Sequence, residues 1–252
     1  MEPREVDIMY QLEGEHWWFA GKRLAVAAML QGLPRRGLAV DVGCGTGAVL
    51  DLLRREGPAL GLEFDARCLG LACRRGGLDL ARAGCAALPL RDGSADLITL
   101  MDVLYHEGVD VAATLAECRR ALAPGGWLLV FDSAYDGLMG PHDRAVHGAR
   151  RFARQGLKLR LERAGFHVER ATYRNSILAP AVIPARLLAR FLEGRRRTQG
   201  PPPVSDVDMP PAWLNRLLLW LMALEARWLK RHSFPLGISV CLLARKPSDK
   251  PA

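Results

Sequence analysis

Asp41-Val42-Gly43-Cys44-Gly45-Thr46-Gly47 follows directly on the apolar run Leu38-Ala39-Val40 and opens an amphipathic stretch that reaches about Glu56. Glycines in such a place let the chain turn tightly and bring a ligand close to backbone N–H groups. Two readings compete. Gly43-x-Gly45-x-x-Ala48 satisfies the dinucleotide fingerprint, and Glu63 lies 20 residues past Gly43, where a ribose-binding acid belongs. The glycines also fit the tighter spacing G-x-G-x-G, with an acid two residues before the first. An anionic pyrophosphate would be repelled by Asp41, whereas a cationic ligand would be favoured.

Outward from this turn, short apolar runs alternate with amphipathic ones. Leu38–Val42 and Ala59–Glu63 read as the first two strands, with a helix over about Ala66–Arg75. A weak third strand is expected near Ala83–Ala86, a fourth at Ala95–Met101 and a helix from about Val109 to Leu122. Pro124-Gly125-Gly126 breaks that helix before a fifth strand, Trp127–Phe131. Strands separated by helices of this length form βαβ units and a parallel sheet. Phe152–Ala164 reads as a helix stopped by Gly165, Phe166–Tyr173 as a strand and Leu236–Ala244 as the last strand. Two apolar helices, about Pro184–Leu192 and Ala212–Arg231, lie between these strands. The Gly194–Pro203 linker that joins them, continuing to Pro211, has the Pro, Gly and Arg content of a mobile loop.

The chain has 252 residues, half of them apolar and a quarter charged, which excludes collagen-like, low-complexity and wholly disordered classes. Its formal charge of +8 rests on 30 arginines and 5 lysines with no basic–aromatic run, so nucleic acid is not the expected partner. The six cysteines are scattered without metal spacing, and no metal is expected. Reduced thiols, no signal-peptide pattern at the start and no apolar run of spanning length lead to the expectation of a cytoplasmic protein.

The glycine turn, Gly61-Leu-Glu63-Phe64-Asp65, the Leu88–Thr99 stretch entering the fourth strand, Met101-Asp-Val-Leu-Tyr-His106 and Leu122-Ala-Pro-Gly-Gly126 together resemble the class I S-adenosylmethionine-dependent methyltransferases. Gly84 stands where many relatives carry an Asp that meets the adenine amino group. The chain also resembles a bacterial small-molecule subgroup. The resemblance is carried by His16-Trp17-Trp18-Phe19-Ala-Gly-Lys22-Arg23, by His142-Asp143 with His147-Gly-x-Arg150-Arg151-Phe152, by Tyr173-x-Asn175 and by Pro235–Ser239.

The resemblance implies an α/β fold: a doubly wound, seven-stranded, mostly parallel sheet of the Rossmann-like methyltransferase type, with a helical cap between strands six and seven. The corresponding divisions are an N-terminal helical lid (1–36), a cofactor-binding core (37–175), the cap (176–233) and the last strand with its tail (234–252). It also implies S-adenosyl-L-methionine as cofactor, held by Asp41, Gly43, Cys44, Gly45, Gly47, Glu63, Phe64, Cys85, Ala86 and Met101. Trp18 and Arg23 or Lys22 would close the lid, although Trp17–Phe19 could equally be an apolar packing edge.

His147, His142, Asp143 and His106 are the candidates for removing a proton from the acceptor. Imidazole titrates near neutrality, and a neighbouring Asp can orient it. Arg150 and Arg151 could bind an acidic group on the substrate. The expected acceptor is a small apolar or amphiphilic molecule, methylated on oxygen in preference to nitrogen or carbon. The rivals are a non-catalytic cofactor-binding protein and a nucleic-acid or protein methyltransferase. Three readings of the helix at 213–231 stay open: cover for the substrate, a homodimer contact and peripheral membrane contact.

Overall fold

A computed structural model describes residues 3–34, 37–140, 143, 147–193 and 208–248. Two helices come first, α1 (Pro3–Leu12) and α2 (Trp17–Leu30). The alternating region then runs β1 (Leu38–Val42), α3 (Ala48–Arg54), β2 (Ala59–Glu63), α4 (Ala66–Cys73), β3 (Asp79–Arg82), β4 (Ala95–Met101), α5 (Val111–Ala121) and β5 (Leu122–Ser133). A 3-10 turn at Asp136–Leu138 follows, then α6 (Arg154–Arg163), β6 (His167–Arg174), α7 (Ala179–Glu193), α8 (Ala212–Leu229) and β7 (Ser239–Arg245). The linker at 194–207 lies outside the described residues.

The seven strands form one sheet in the order β3-β2-β1-β4-β5-β7-β6. The paired strands β1 to β5 are parallel, and β7 runs antiparallel between β5 and β6. Because strand side chains alternate with a period of two, each central strand feeds two cores. Val40, Val42, Ile98, Leu100, Leu128, Val130 and Leu242 face one side, with Leu115 and Cys118 of α5 and Leu157 and Leu161 of α6. Ala39, Leu97, Leu129, Phe131, Cys241 and Leu243 face the other, with α2, α3 and the end of α8. A strand buried on both faces reads as a continuous apolar run, which is why β4 and β5 are visible in the sequence.

The third strand is the main displaced element, at Asp79–Arg82 rather than near 83–86. It is the sheet edge beyond β2, and both its end residues are exposed, so it carries no apolar signature. The helical insertion also divides in a way the sequence did not suggest. α8 belongs to the layer that covers the sheet: Ala226 and Leu229 join Ala25, Val26, Ala28 and Met29 of α2 in one core. α7 lies instead by the 3-10 turn beyond the carboxyl end of β5, where Arg186 Nη1 donates to the Leu138 carbonyl at 3.2 Å. Among the described residues, no helix is long and apolar enough to cross a membrane.

Candidate active site

The glycine turn leaves β1 with Gly43, Gly45 and Gly47 all at positive φ (72°, 56° and 88°). The N–H groups of Gly43 and Cys44 both donate to the Leu62 carbonyl, at 2.7 and 3.1 Å, which ties the turn to β2. A Cβ at Gly43 would stand 2.5 Å from Val103 Cγ2, so the turn has no room for a side chain there. Glu63 ends β2 with its carboxylate held by backbone: Oε2 accepts from the Gly45 N–H and Oε1 from the Asp65 N–H, each at 2.8 Å. Each oxygen keeps a further lone pair, so the group can still accept from a pair of hydroxyls.

Asp41 points to the α2 side of the sheet. Its Oδ1 accepts from Thr99 Oγ1 at 2.6 Å, while Oδ2 is buried with no partner among the described residues. Burial pushes its carboxyl up to about 6, and the Glu63 charge adds to that, against the Thr99 hydrogen bond and the Lys22 charge. A buried carboxylate with one unspent oxygen costs free energy unless a donor meets it. An acceptor of this kind beside a glycine-rich turn and a strand-end carboxylate fits a cofactor that carries both an ammonium group and ribose hydroxyls.

The N-terminal helices fasten to this turn. His16 caps α2, its Nδ1 accepting from the Trp18 N–H at 3.2 Å. Trp17 N–H donates to Asn215 Oδ1 of α8 at 2.9 Å. Buried Glu13 bonds Thr46 Oγ1 of the glycine turn and pairs with Arg75, whose Nε donates to the Thr46 carbonyl at 2.6 Å. Arg23 binds the Glu13 and Gly14 carbonyls, so its guanidinium closes the turn between α1 and α2. Lys22, one residue earlier, reaches the site and pairs with Asp102 just past β4. Burial works to raise the Asp102 carboxyl, but Lys22 holds it below its usual value. Trp18 lies beside Arg174, with the guanidinium 5.2 Å from the ring centroid.

The other expected cofactor residues are placed as follows. Cys44 and Met101 are buried. Burial pushes the Cys44 thiol far up, so it stays protonated and uncharged. Phe64 is 69 % exposed, with Arg82 over its ring. Cys85 is half-buried and receives the Thr114 hydroxyl at 3.3 Å, and Ala86 is exposed.

The proton-transfer candidates divide. His142 lies outside the described residues. Asp143 has a different duty from the one expected, because Arg151 grips both its oxygens (Nε–Oδ1 3.0 Å, Nη2–Oδ2 2.8 Å) and the Gly140 N–H donates to Oδ2 at 2.7 Å. That buried pair anchors the loop after β5 and also takes Arg151 away from substrate binding. Arg150 likewise donates to the Val109 carbonyl at 3.0 Å. His106 and His147 sit on segments that pair with each other. His106 bridges Gly148, the Glu107 N–H donates to the His147 carbonyl at 3.1 Å, and the Ala149 N–H donates to the Tyr105 carbonyl at 2.9 Å. His106 also stacks on Tyr105, with ring centroids 4.2 Å apart.

Sequence reasoning missed Glu13, Thr46, Asp102 and Glu225. Glu225 is a buried acid in an apolar helix, a visible anomaly whose partners lie far off in sequence. Its carboxylate accepts from the N–H groups of Asn175, Ser176 and Ile177, at 2.5, 2.7 and 3.2 Å, just before α7.

Comparison with known proteins agrees with this geometry. Residues 40–130 match the family model described as a methyltransferase domain. A ubiquinone biosynthesis O-methyltransferase of Methylococcus capsulatus is 37 % identical over 118 residues, 44 % of this chain and 48 % of that one. A probable S-adenosylmethionine-dependent methyltransferase of Mycolicibacterium smegmatis is 30 % identical over 171 residues, 63 % of this chain and 62 % of that one. The chain thus spans about half to three fifths of these curated relatives. A chain of the complex between the Haloferax volcanii Trm112 methyltransferase activator and a methyltransferase superposes with a TM-score of 0.62 at 20 % identity, covering 99 % of this chain and 96 % of that one. Residues 40–130 are thus similar to a methyltransferase domain, and they carry the glycine turn, the Asp41 and Glu63 carboxylates and the central strands of the sheet.

Proposed function

We propose that the protein transfers a methyl group to a small apolar or amphiphilic acceptor, with oxygen as the accepting atom. When bound, S-adenosylmethionine supplies an electrophilic methyl on a sulfonium centre. Asp41 would meet the ammonium end of the cofactor, directly or through water, and Glu63 the ribose hydroxyls. Cys44 and Met101 would wall the site, with Phe64, Cys85 and Ala86 on the adenine side. Of the two cations expected there, Arg23 or Lys22, Lys22 would be the one that faces the site from α2.

One observation carries the acceptor reading. Trp18, Tyr135, Leu138, Val182, Ile183 and Ile238 pack into an apolar cluster that joins α2, the segment after β5 and α7. It lies beyond the carboxyl ends of the strands, where open α/β sheets bind ligands. In this reading α7 alone forms the cap over the acceptor, and α1 with the start of α2 forms the lid, fastened by Glu13. The Methylococcus capsulatus relative is an O-methyltransferase, which supports the choice of oxygen.

His106 and His147 would take the acceptor's proton, a reading supported by the pairing of their segments just past β4. Holding acceptor and methyl in line would supply most of the rate, and the imidazole the remainder.

The test is release of demethylated cofactor in the presence of apolar phenols and alcohols, with the matching amines as controls. Turnover confined to hydroxyl acceptors, and reduced by Ile183→Asn with cofactor affinity unchanged, is the expected result. Turnover only on polar or macromolecular acceptors overturns the acceptor class. Cofactor binding without turnover on any acceptor favours a binding protein.

A further inference from the structure

α8 buries one face and leaves the other bare. Met222, Glu225, Ala226 and Leu229 are its buried residues. On the opposite side Trp213, Leu217, Trp220 and Trp228 are 64, 45, 57 and 53 % exposed. Positions 213, 217, 220, 224 and 228 recur every three or four residues and so line one stripe of the helix. Leaving three tryptophans in water forfeits the burial of large apolar surfaces, and a cluster of this kind marks a contact surface.

The charges around the stripe say what it contacts. Arg216, Arg227, Lys230 and Arg231 are all exposed, and none forms a salt bridge among the described residues. The acid of this stretch, Glu225, is turned inward and spent on three backbone N–H groups. A second copy of the chain would set these four cations against their own likes, at a cost that a symmetric contact repeats on both sides. An anionic lipid surface matches both properties. Indole rings settle at the boundary between headgroups and acyl chains, and arginines beside them meet lipid phosphates.

We infer that the exposed Trp–Leu–Arg face of α8 docks the protein on an anionic bilayer. The helix lies in the surface plane and does not span it. α8 runs beside α2, with Asn215 at the start of one bonded to Trp17 at the start of the other. Docking therefore brings the N-terminal end of the stripe, at Trp213, near the mouth of the proposed acceptor site. The proposal stands whether or not the methyl-transfer reading holds, because its test uses neither cofactor nor acceptor.

The test is flotation of the full chain with vesicles of phosphatidylcholine alone and of phosphatidylcholine mixed with phosphatidylglycerol, with tryptophan emission recorded in parallel. The chain is expected to float with the mixed vesicles, with a blue shift, and to stay behind with the neutral ones. Arg216→Gln with Arg227→Gln should weaken partitioning roughly 30-fold, about five-fold for each arginine. Trp213→Ser with Trp220→Ser should leave only the smaller blue shift of Trp228 and weaken partitioning at least roughly 10-fold. All four positions are exposed, so the melting temperature of each variant checks that it is folded. No flotation of the parent chain, equal flotation on neutral vesicles, or flotation unchanged in both variants would overturn the proposal. So would sedimentation showing a lipid-free dimer that the tryptophan variant dissociates, since the stripe would then be a contact between copies.

Discussion

Asp41→Asn should stabilise the protein while weakening its grip on the cofactor, and both effects should depend on pH. The carboxyl sits at about 6 in the folded chain against an ordinary value of 3.8, chiefly because it is buried. A carboxyl raised on folding binds its proton more tightly in the native state. Its contribution to stability is therefore fully present below about pH 4 and is lost as pH rises through 6. The shift corresponds to about 3 kcal/mol at 1.36 kcal/mol per unit, and the loss levels off above pH 7. Asparagine avoids that cost. Without cofactor, Asp41→Asn should melt higher than the parent at pH 7.5, by as much as about 6 to 12 °C at roughly 2 to 4 °C per kcal/mol for a chain of this size, and the gain should vanish by pH 4.

Binding should move the opposite way. An α-ammonium group has a pKa near 8 and stays protonated below pH 7, so Asp41 ionisation sets the slope. With a pKa of about 6, roughly nine-tenths of Asp41 is ionised at pH 7 and one-tenth at pH 5. Titration calorimetry with S-adenosylhomocysteine should show affinity falling about ten-fold from pH 7 to pH 5 in the parent chain. The Asp41→Asn variant should show no slope, and an affinity at pH 7 reduced by roughly 10- to 100-fold, the range for a charge-assisted hydrogen bond. The same slope in parent and variant would refute the assignment of the orphan Oδ2 to the cofactor's cation. A variant less stable than the parent at pH 7.5 would refute the account of its burial.

Gly43→Ala should abolish cofactor binding and lower stability by roughly 2 to 4 kcal/mol, because the new Cβ collides with Val103 and φ is 72° there. Calorimetry and a thermal melt of the same sample check both, and a variant with parental affinity would show that the turn has slack. Glu225→Ala should cost roughly 3 kcal/mol, about 6 to 12 °C in melting temperature, since three backbone N–H groups lose their acceptor. Hydrogen exchange should then speed up at Asn175, Ser176 and Ile177, and unchanged protection there would mean that water replaces the carboxylate without loss.

The turn at Asp41–Gly47, the strand-end acid Glu63 and the two-sided apolar strands are legible from the chain alone. Each follows from local sterics or from alternation along a few residues: glycine where φ turns positive, continuous apolar runs where both faces are covered. The edge strand Asp79–Arg82 lacks such a pattern, because its end residues lie in water and Leu80 and Ala81 alone touch the cores. Which charge meets which is a different kind of fact. Arg23 and Lys22 are adjacent in sequence and both cationic, yet one closes a turn and the other faces the site, because neighbouring helix positions differ by about 100° in direction. Asp143 lies next to a histidine in sequence but spends its charge on Arg151. Glu225 bonds to residues some fifty positions away. The apolar stripes of α7 and α8 look alike in composition, and only packing puts α7 beyond the strand ends and α8 flat against α2. Backbone conformation is set by neighbours in sequence, whereas a charged or apolar side chain is assigned its partner by elements that meet only once the chain has folded.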